Sequence, residues 1–439
     1  MSDPCHRGHW PRRVMAALSI IILLLPGPGR AETPLAQRHT PSGLNDQLTF
    51  SGATFADYIA TQRQMIGAAR RSLDPQTPQM VIDGNSPFML APEAGCGPAR
   101  AVLMIHGLTD SPYWLRPLAD VFRQQCFHVY TILLPGHGTR PGDLTRVGWE
   151  DWDAAVRLGI RLAAQQHHEL YLLGYSLGGT LAILQATRRP APGTPAIKGL
   201  ILFAPALHID AQAIITRFHG LWDWLLPRQA WLDIAPDVDP FKYESFPMNA
   251  AAQIHRLTWE LDDHLDDNVP QLPLFIALSE QDRTVDSAAT LQFFARNRHP
   301  ASRLLLYSNA APTLSDPRIV LQDSRDAARH IVSSAHTALL LPPEEPHYGA
   351  AGDYVLCNHY LDQLPLWQRC RQRDEDVLGE ISTDTLQQGV VRRLSYNPWY
   401  TSMLDQLRTF IATSEQQIGS TRMLKKAVHG LFQPAKQKL

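Results

Sequence analysis

At 439 residues, 44% of them hydrophobic, the chain is long and apolar enough to bury a large core, which excludes wholesale disorder and leaves one α/β domain with insertions or two domains. A formal net charge of −2 excludes a global attraction to nucleic acid or to an anionic membrane, and the five cysteines have no zinc-ligand spacing. A small-molecule or lipid ester is the expected partner, with no nucleic acid, metal or cofactor implied.

The chain opens with the three-part layout of an export signal over residues 1–31: Arg7, Arg12 and Arg13, an apolar run at 14–25, then small residues Gly29 and Ala31 at cleavage positions. The run is too short to span a bilayer, which takes about 20 residues; an uncleaved segment anchoring the chain to the membrane is the alternative. Export to the periplasm or beyond leaves Cys96, Cys126, Cys357 and Cys370 in an oxidising compartment, with three possible connectivities. Cys96 and Cys126 each precede a strand-like run, so neighbouring parallel strands would bring them to the same end of a sheet. This favours Cys96–Cys126 with Cys357–Cys370 over four free thiols.

Residues 32–100 form a preamble without evident chemistry, with helical spacing at 54–71 and a hairpin expected at 80–90, turning at Asp83-Gly84-Asn85. From residue 101 strands and helices alternate. Strand-like runs at 101–105, 129–133, 170–173, 199–203, 274–278 and 303–307 are separated by helical patterns at 114–125, 149–166, 177–189 and 287–298. Continuous apolar strands alternating with helices specify an α/β fold with a mostly parallel central sheet covered on both faces. Between one such strand and helix lies Gly174-Tyr175-Ser176-Leu177-Gly178. A turn that tight strains its apex residue, needs small residues two positions to either side, and holds the serine hydroxyl out at the carboxyl end of the sheet. The first N–H groups of the following helix then face whatever oxygen the serine attacks.

Further motifs stand at other strand ends: His106-Gly107-Leu108-Thr109-Asp110, Pro135-Gly136-His137-Gly138, Ser279-Glu280-Gln281-Asp282, and Ala335-His336 beyond. With these residues the sequence resembles the α/β-hydrolases, and among them the bacterial carboxylesterases akin to monoacylglycerol lipases, over roughly residues 101–340 and in the order Ser, Asp, His. The resemblance implies a serine carboxylic-ester hydrolase working through an acyl-enzyme. Ser176 would be the nucleophile and His336 the base that takes its proton. Asp282 would hold the imidazole, and the backbone N–H groups of Leu108 and Leu177 would receive the oxyanion. Asp286 and Glu280 are alternatives to Asp282, and His330 and His347 to His336, because a long insertion separates the strand at 303–307 from the histidine. His106 and His137 are read as structural.

Residues 206–270 sit where this superfamily inserts its cap, and Trp222, Trp224 and Trp231 are the expected acyl-binding side chains. The acidic run Asp262, Asp263, Asp266 and Asp267 lacks the pattern of a calcium loop and reads as a solvated helix end. The hydrolase domain is expected to span 101–415, with a loop-like stretch at 342–373 and a last helix at 397–414. A frayed basic tail at 416–439 could make weak contact with a membrane surface, and nothing in the pattern specifies an oligomer. An acyltransferase or thioesterase would use the same three side chains. A binding protein that kept the fold without activity is the reading from another class, and the intact Ser176, Asp282 and His336 count against it.

Overall fold

The alternation of apolar strands with helices builds an eight-stranded sheet, seen here in a computed structural model that describes residues 35–45, 50, 52–96, 100–190, 193–208, 230–312, 315–373 and 377–431, with backbone alone at 267 and from 417 onward. By compactness the chain divides into Met1–Ala36, of which only Leu35 and Ala36 are described, and Gln37–Leu439, which holds every element below. The export signal expected at 1–31, together with Trp222 and Trp224, lies outside the described residues.

The first elements are α1 (Phe55–Arg70), α2 (Pro78–Asn85), β1 (Met89–Leu90), β2 (Arg100–Ile105), α3 (Arg116–Gln124), β3 (Phe127–Ile132), α4 (Trp149–Ala164), β4 (Glu169–Tyr175), α5 (Leu177–Thr187) and β5 (Ala196–Phe203). The described part of the expected cap gives β6 (Trp231–Asp233), β7 (Phe246–Pro247) and α6 (Met248–Asp267). There follow β8 (Leu274–Ser279), α7 (Ser287–Arg296), β9 (Arg303–Ser308), β10 (Ile319–Asp323), α8 (Leu364–Gln372), β11 (Val377–Gly379), α9 (Thr383–Leu386), β12 (Val391–Arg393) and α10 (Tyr400–Leu431). The main sheet runs β1-β3-β2-β4-β5-β8-β9-β10, with β1 antiparallel to β3 and every other pair parallel.

Strands covered on both faces must be apolar throughout, and β2 from Ala101 to Ile105, β4 from Leu170 to Tyr175 and all of β8 are buried. α10 closes one face, with Phe410 against Phe275 of β8 at 5.7 Å between ring centroids. α1 begins at a capping box on Thr54 and Asp57, and Tyr58 on it exchanges hydrogen bonds with the backbone of Leu133 at the end of β3. β6 and β7 pair antiparallel, whereas α6 lies along α5 and α4, so the second half of the expected cap belongs to the helical layer over the sheet. Asp262, Asp263 and Asp266 occupy exposed turns of α6.

Three expectations are corrected. Residues 80–90 are no hairpin: Pro78 starts α2, Gly84 lies inside it, and only Met89–Leu90 is strand. Asp-Gly reads as a turn locally, but a Cβ at Gly84 would lie 2.2 Å from the Phe241 ring, so that glycine serves a close tertiary approach. The loop expected at 342–373 contains α8, whose proline sits in the first helical turn, where its missing N–H costs nothing. The backbone stays helical to Leu431, through the larger part of the stretch read as a frayed tail, where Met423, Leu424, Lys425, Lys426 and Ala427 are all good helix formers. Both expected disulfides are formed, Cys96–Cys126 and Cys357–Cys370. Among the described residues no helix is long and apolar enough to cross a membrane.

Candidate active site

Ser176 occupies the apex between β4 and α5 with φ 52° and ψ −116°, a conformation costly for a residue with a Cβ. The turn can close because a Cβ at Gly174 would meet Gly178 O at 2.2 Å, and one at Gly178 would meet Ile105 O at the same distance. The Ser176 N–H donates to Phe203 O at 2.9 Å, tying the apex to the neighbouring strand. Leu177, buried, opens α5 immediately after it, so its N–H belongs to the helix terminus that faces the serine.

Asp282 comes from the loop after β8 and His336 from a short 3-10 turn at His336–Ala338. His336 Nδ1 lies 2.7 Å from Asp282 Oδ2, while Asp282 Oδ1 accepts the N–H groups of Thr284 at 2.7 Å and Val285 at 3.1 Å. Burial by itself raises the Asp282 carboxyl, but the His336 imidazole and those two N–H groups outweigh it and hold it below its ordinary value. The rival residues stand elsewhere. Asp286 caps α7 through the N–H groups of Ala288 and Ala289, Glu280 accepts from Ser308, His330 is an exposed turn residue, and His347 lies 3.3 Å from Asp239.

The loop carrying Leu108 is braced by two histidines in reciprocal fashion. His106 Nε2 accepts the Leu134 N–H at 3.0 Å, and His137 Nε2 accepts the Thr109 N–H at 3.2 Å. Since a backbone N–H can only donate, each ring carries its proton on Nδ1 and gives it to a carbonyl: Gly107 O for His106, Leu134 O and Pro135 O for His137. Burial pushes His106 well below its ordinary value and His137 down to about 4, so both stay neutral near pH 7. From the cap side, Lys242 pairs with Asp110 and donates to Thr109 Oγ1 at 2.9 Å, and Tyr243 N–H donates to Thr109 O at 2.8 Å.

Ser176, His336 and Leu108 line one cavity of about 790 Å³, a size suited to a small ligand. No hydrogen bond joins Ser176 to His336 among the described residues, and such catalytic hydrogen bonds often tighten only in the substrate complex. Its apolar wall comes from Leu232, Phe246, Ala251, Ile254 and Val285. Trp231, expected there, is turned away: it is buried against His39, with ring centroids 5.3 Å apart. Leu232, which follows it in β6, and Phe246 of β7 take the place expected of it, and strand alternation sends Leu232 to the face opposite Trp231. A polar wall comes from Arg283, Asn358, His359, Glu380 and Arg393. Tyr175 and Asp110 stood inside the quoted motifs, so a signal for them existed. Glu380 and Arg393 were missed, and no local pattern around them could have shown them. Among the described residues no group of three His, Cys, Asp or Glu side chains is placed to hold a metal ion.

The profile of the serine aminopeptidase S33 family matches residues 97–311. A thermostable monoacylglycerol lipase of Bacillus sp. (strain H-257) is 32% identical over 211 residues, covering 47% of this chain and 77% of the relative. A carboxylesterase of Bacillus subtilis (strain 168) is 22% identical over 195 residues, covering 44% and 75%. Among solved structures, one described with the metagenome-derived lipolytic enzymes LipS and LipT aligns at a TM-score of 0.42 and 20% identity, covering 55% of this chain and 88% of that one. The matched stretch carries the sheet from β2 to β9 and the strained serine turn, and the relative at 32% identity is covered over three quarters of its length. The chain therefore belongs to the serine aminopeptidase S33 family of α/β-hydrolases, as a serine hydrolase of the carboxylesterase and lipase type.

Proposed function

We propose that the protein is an exported carboxylic-ester hydrolase that forms an acyl-enzyme on Ser176 and acts on lipid-like or short-chain esters, monoacylglycerols among them. One observation carries the reading: His336, with its Nδ1 on the Asp282 carboxylate at 2.7 Å, lines the same cavity as a serine held on a strained strand-to-helix turn. In this mechanism Ser176 Oγ attacks the ester carbonyl carbon as His336 Nε2 takes its proton. Asp282 keeps the ring in the Nδ1–H tautomer and stabilises the imidazolium. The carbonyl oxygen, now negative, accepts from the N–H groups of Leu108 and Leu177. Collapse expels the alcohol, protonated by His336, and water repeats the sequence on the acyl-enzyme. Leu232, Phe246, Ala251 and Ile254 give the acyl chain an apolar wall, where each buried methylene contributes about 0.8 kcal/mol. Two disulfides support an oxidising compartment.

The test uses purified protein and p-nitrophenyl esters of graded chain length, with and without alcohol acceptors. Ser176→Ala and His336→Ala should each lose turnover on the scale of roughly 10⁶-fold, since the two act as one unit. A fluorophosphonate should label wild type once, at Ser176. Labelling at another residue, or turnover retained by Ser176→Ala, would refute the mechanism.

A further inference from the structure

His336 is gripped by its backbone as well as by its side chain. Its N–H donates to Glu380 Oε2 at 2.9 Å and its carbonyl accepts from Tyr175 Oη at 3.2 Å. Glu380 is only 1% exposed, and burying a lone carboxylate is costly unless it is paired and hydrogen-bonded. The partner is Arg393, with Nε 2.8 Å from Glu380 Oε1 and Nη2 3.0 Å from Oε2. The two are set side by side because β11 and β12 pair in parallel with Gly379 opposite Arg393, and Glu380 follows Gly379. Arg393 Nη2 also donates to Thr284 Oγ1 at 2.7 Å, and Thr284 N–H donates to Asp282. A second connection thus runs from the Asp282 loop through Thr284, Arg393 and Glu380 to the His336 backbone. Both charged residues lie beyond residue 311, outside the stretch matched by the family.

An apolar pair could join β11 to β12 without any desolvation cost. What it could not do is accept the His336 N–H or place a charge beside the His336 backbone. We propose that Glu380 and Arg393 form a positioning pair for His336, fixing its backbone and balancing charge at its ring. This rests on the reading of His336 as the base. Other charged or titratable groups lie around His336. Asp282 sits on Nδ1, and Asp110 is paired with Lys242. The Tyr175 phenol is held protonated, because burial raises it well above its ordinary value. On the cavity wall Arg283 is exposed at the mouth, Glu244 accepts from Tyr354 and Asn358, and burial pushes His359 down to about 4, so it is neutral. For Arg393, burial works against the charge, but Glu380 and Asp282 outweigh it and hold the guanidinium above its ordinary value.

Opposite charges in the pair give opposite consequences. Glu380→Gln keeps the shape and leaves the Arg393 cation unbalanced, which disfavours imidazolium. Arg393→Gln leaves the carboxylate unbalanced, which favours it. The experiment records kcat/KM against pH for a p-nitrophenyl ester with the full chain, in wild type, Glu380→Gln, Arg393→Gln, Arg393→Lys and the double Gln variant. Ser176→Ala serves as the blank, and near-ultraviolet circular dichroism is taken at each pH. The acidic midpoint should fall by roughly half to one unit in Glu380→Gln, rise by a similar amount in Arg393→Gln, and return near wild type in the double variant and in Arg393→Lys. Plateau kcat/KM should drop by roughly tenfold to a hundredfold in the single Gln variants, the scale of a small misplacement of a reacting group. If Glu380→Gln does not fold, Arg393→Gln compared with Arg393→Lys decides. Superimposable midpoints, or single Gln variants shifting the same way, would overturn the proposal. Turnover retained by Ser176→Ala would instead refute the mechanism on which it rests.

Discussion

Asp282 is held through both of its carboxylate oxygens, which fixes its orientation toward His336. One carboxylate oxygen is filled by the N–H groups of Thr284 and Val285, which leaves the other for His336. In Asp282→Asn the amide oxygen should keep the two backbone donors, which turns its NH₂ toward Nδ1. The ring must then accept at Nδ1 and carry its proton on Nε2, the wrong tautomer for a base. We expect kcat to fall by roughly 10⁴-fold with the melting temperature little changed, the effect of a tautomer reversal at intact geometry. Steady-state kinetics and a melting curve check it, and a variant keeping a tenth of wild-type kcat would exclude Asp282 from this role. In the sequence, Ser176 was legible because its requirements are local: two glycines, a strand before and a helix after. His336 was preferred over His330 and His347 without being separated from them, because the partner that distinguishes it lies 54 residues away in sequence. Glu380 carries no local signature at all, since its partners come from β12 and the His336 turn.

The ends of β2 and β3 form a unit, held together by two neutral histidines that each accept a backbone N–H from the other strand's loop. Residue types alone suggested structural roles for both; the reciprocity depends on register and was not legible. The pH consequence has a definite sign. His137 has a folded value of about 4 against an ordinary 6.5, so below pH 6.5 the unfolded chain binds a proton that the folded chain refuses. Its contribution is therefore complete above pH 6.5 and is lost as pH falls toward 4, by up to roughly 3 kcal/mol over that window. His106 acts in the same direction. His137→Gln can still accept the Thr109 N–H but cannot titrate. Urea unfolding at pH 7.5 and pH 5 should show wild type losing about 2 kcal/mol more than the variant between the two conditions. Parallel losses would mean that His137 is protonated in the folded protein. The misread of residues 80–90 has a related cause: Asp83-Gly84 satisfies a turn rule locally, while Phe241, far along the chain, decides what the glycine is for.

At the scale of the whole molecule the two disulfides serve opposite ends of the sheet. Cys126 directly precedes β3, so Cys96–Cys126 lies at the amino end of the parallel strands, about 20 Å from the carboxyl ends that carry the site. Cys357 lies between Leu356 and Asn358, both on the cavity wall, and Cys370 on α8 contacts Val391 O of β12, the strand that carries Arg393. Arg393 N–H donates in turn to Leu356 O at 3.1 Å. The alternating core from β2 to β9 was legible because each strand repeats the same apolar signal. The segment from α8 to β12 was not, because long-range ties hold it, such as Tyr354 to Glu244 across 110 residues. In the chain-entropy model the separations of 30 and 13 residues correspond to about 4 and about 3 kcal/mol of stabilisation. Stability and activity should therefore part company. Cys96→Ala with Cys126→Ala should lower the melting temperature more, while kcat/KM stays within about twofold of wild type at temperatures where the variant is folded. Cys357→Ala with Cys370→Ala should lower the melting temperature less but cost more kcat/KM, because the cavity wall and the strand behind Arg393 lose their tether. Melting curves and ester kinetics on the two double variants measure both quantities. Equal losses of kcat/KM at a temperature where both are folded would show that the shorter bridge carries stability alone and that the wall beside His336 is held by its hydrogen bonds.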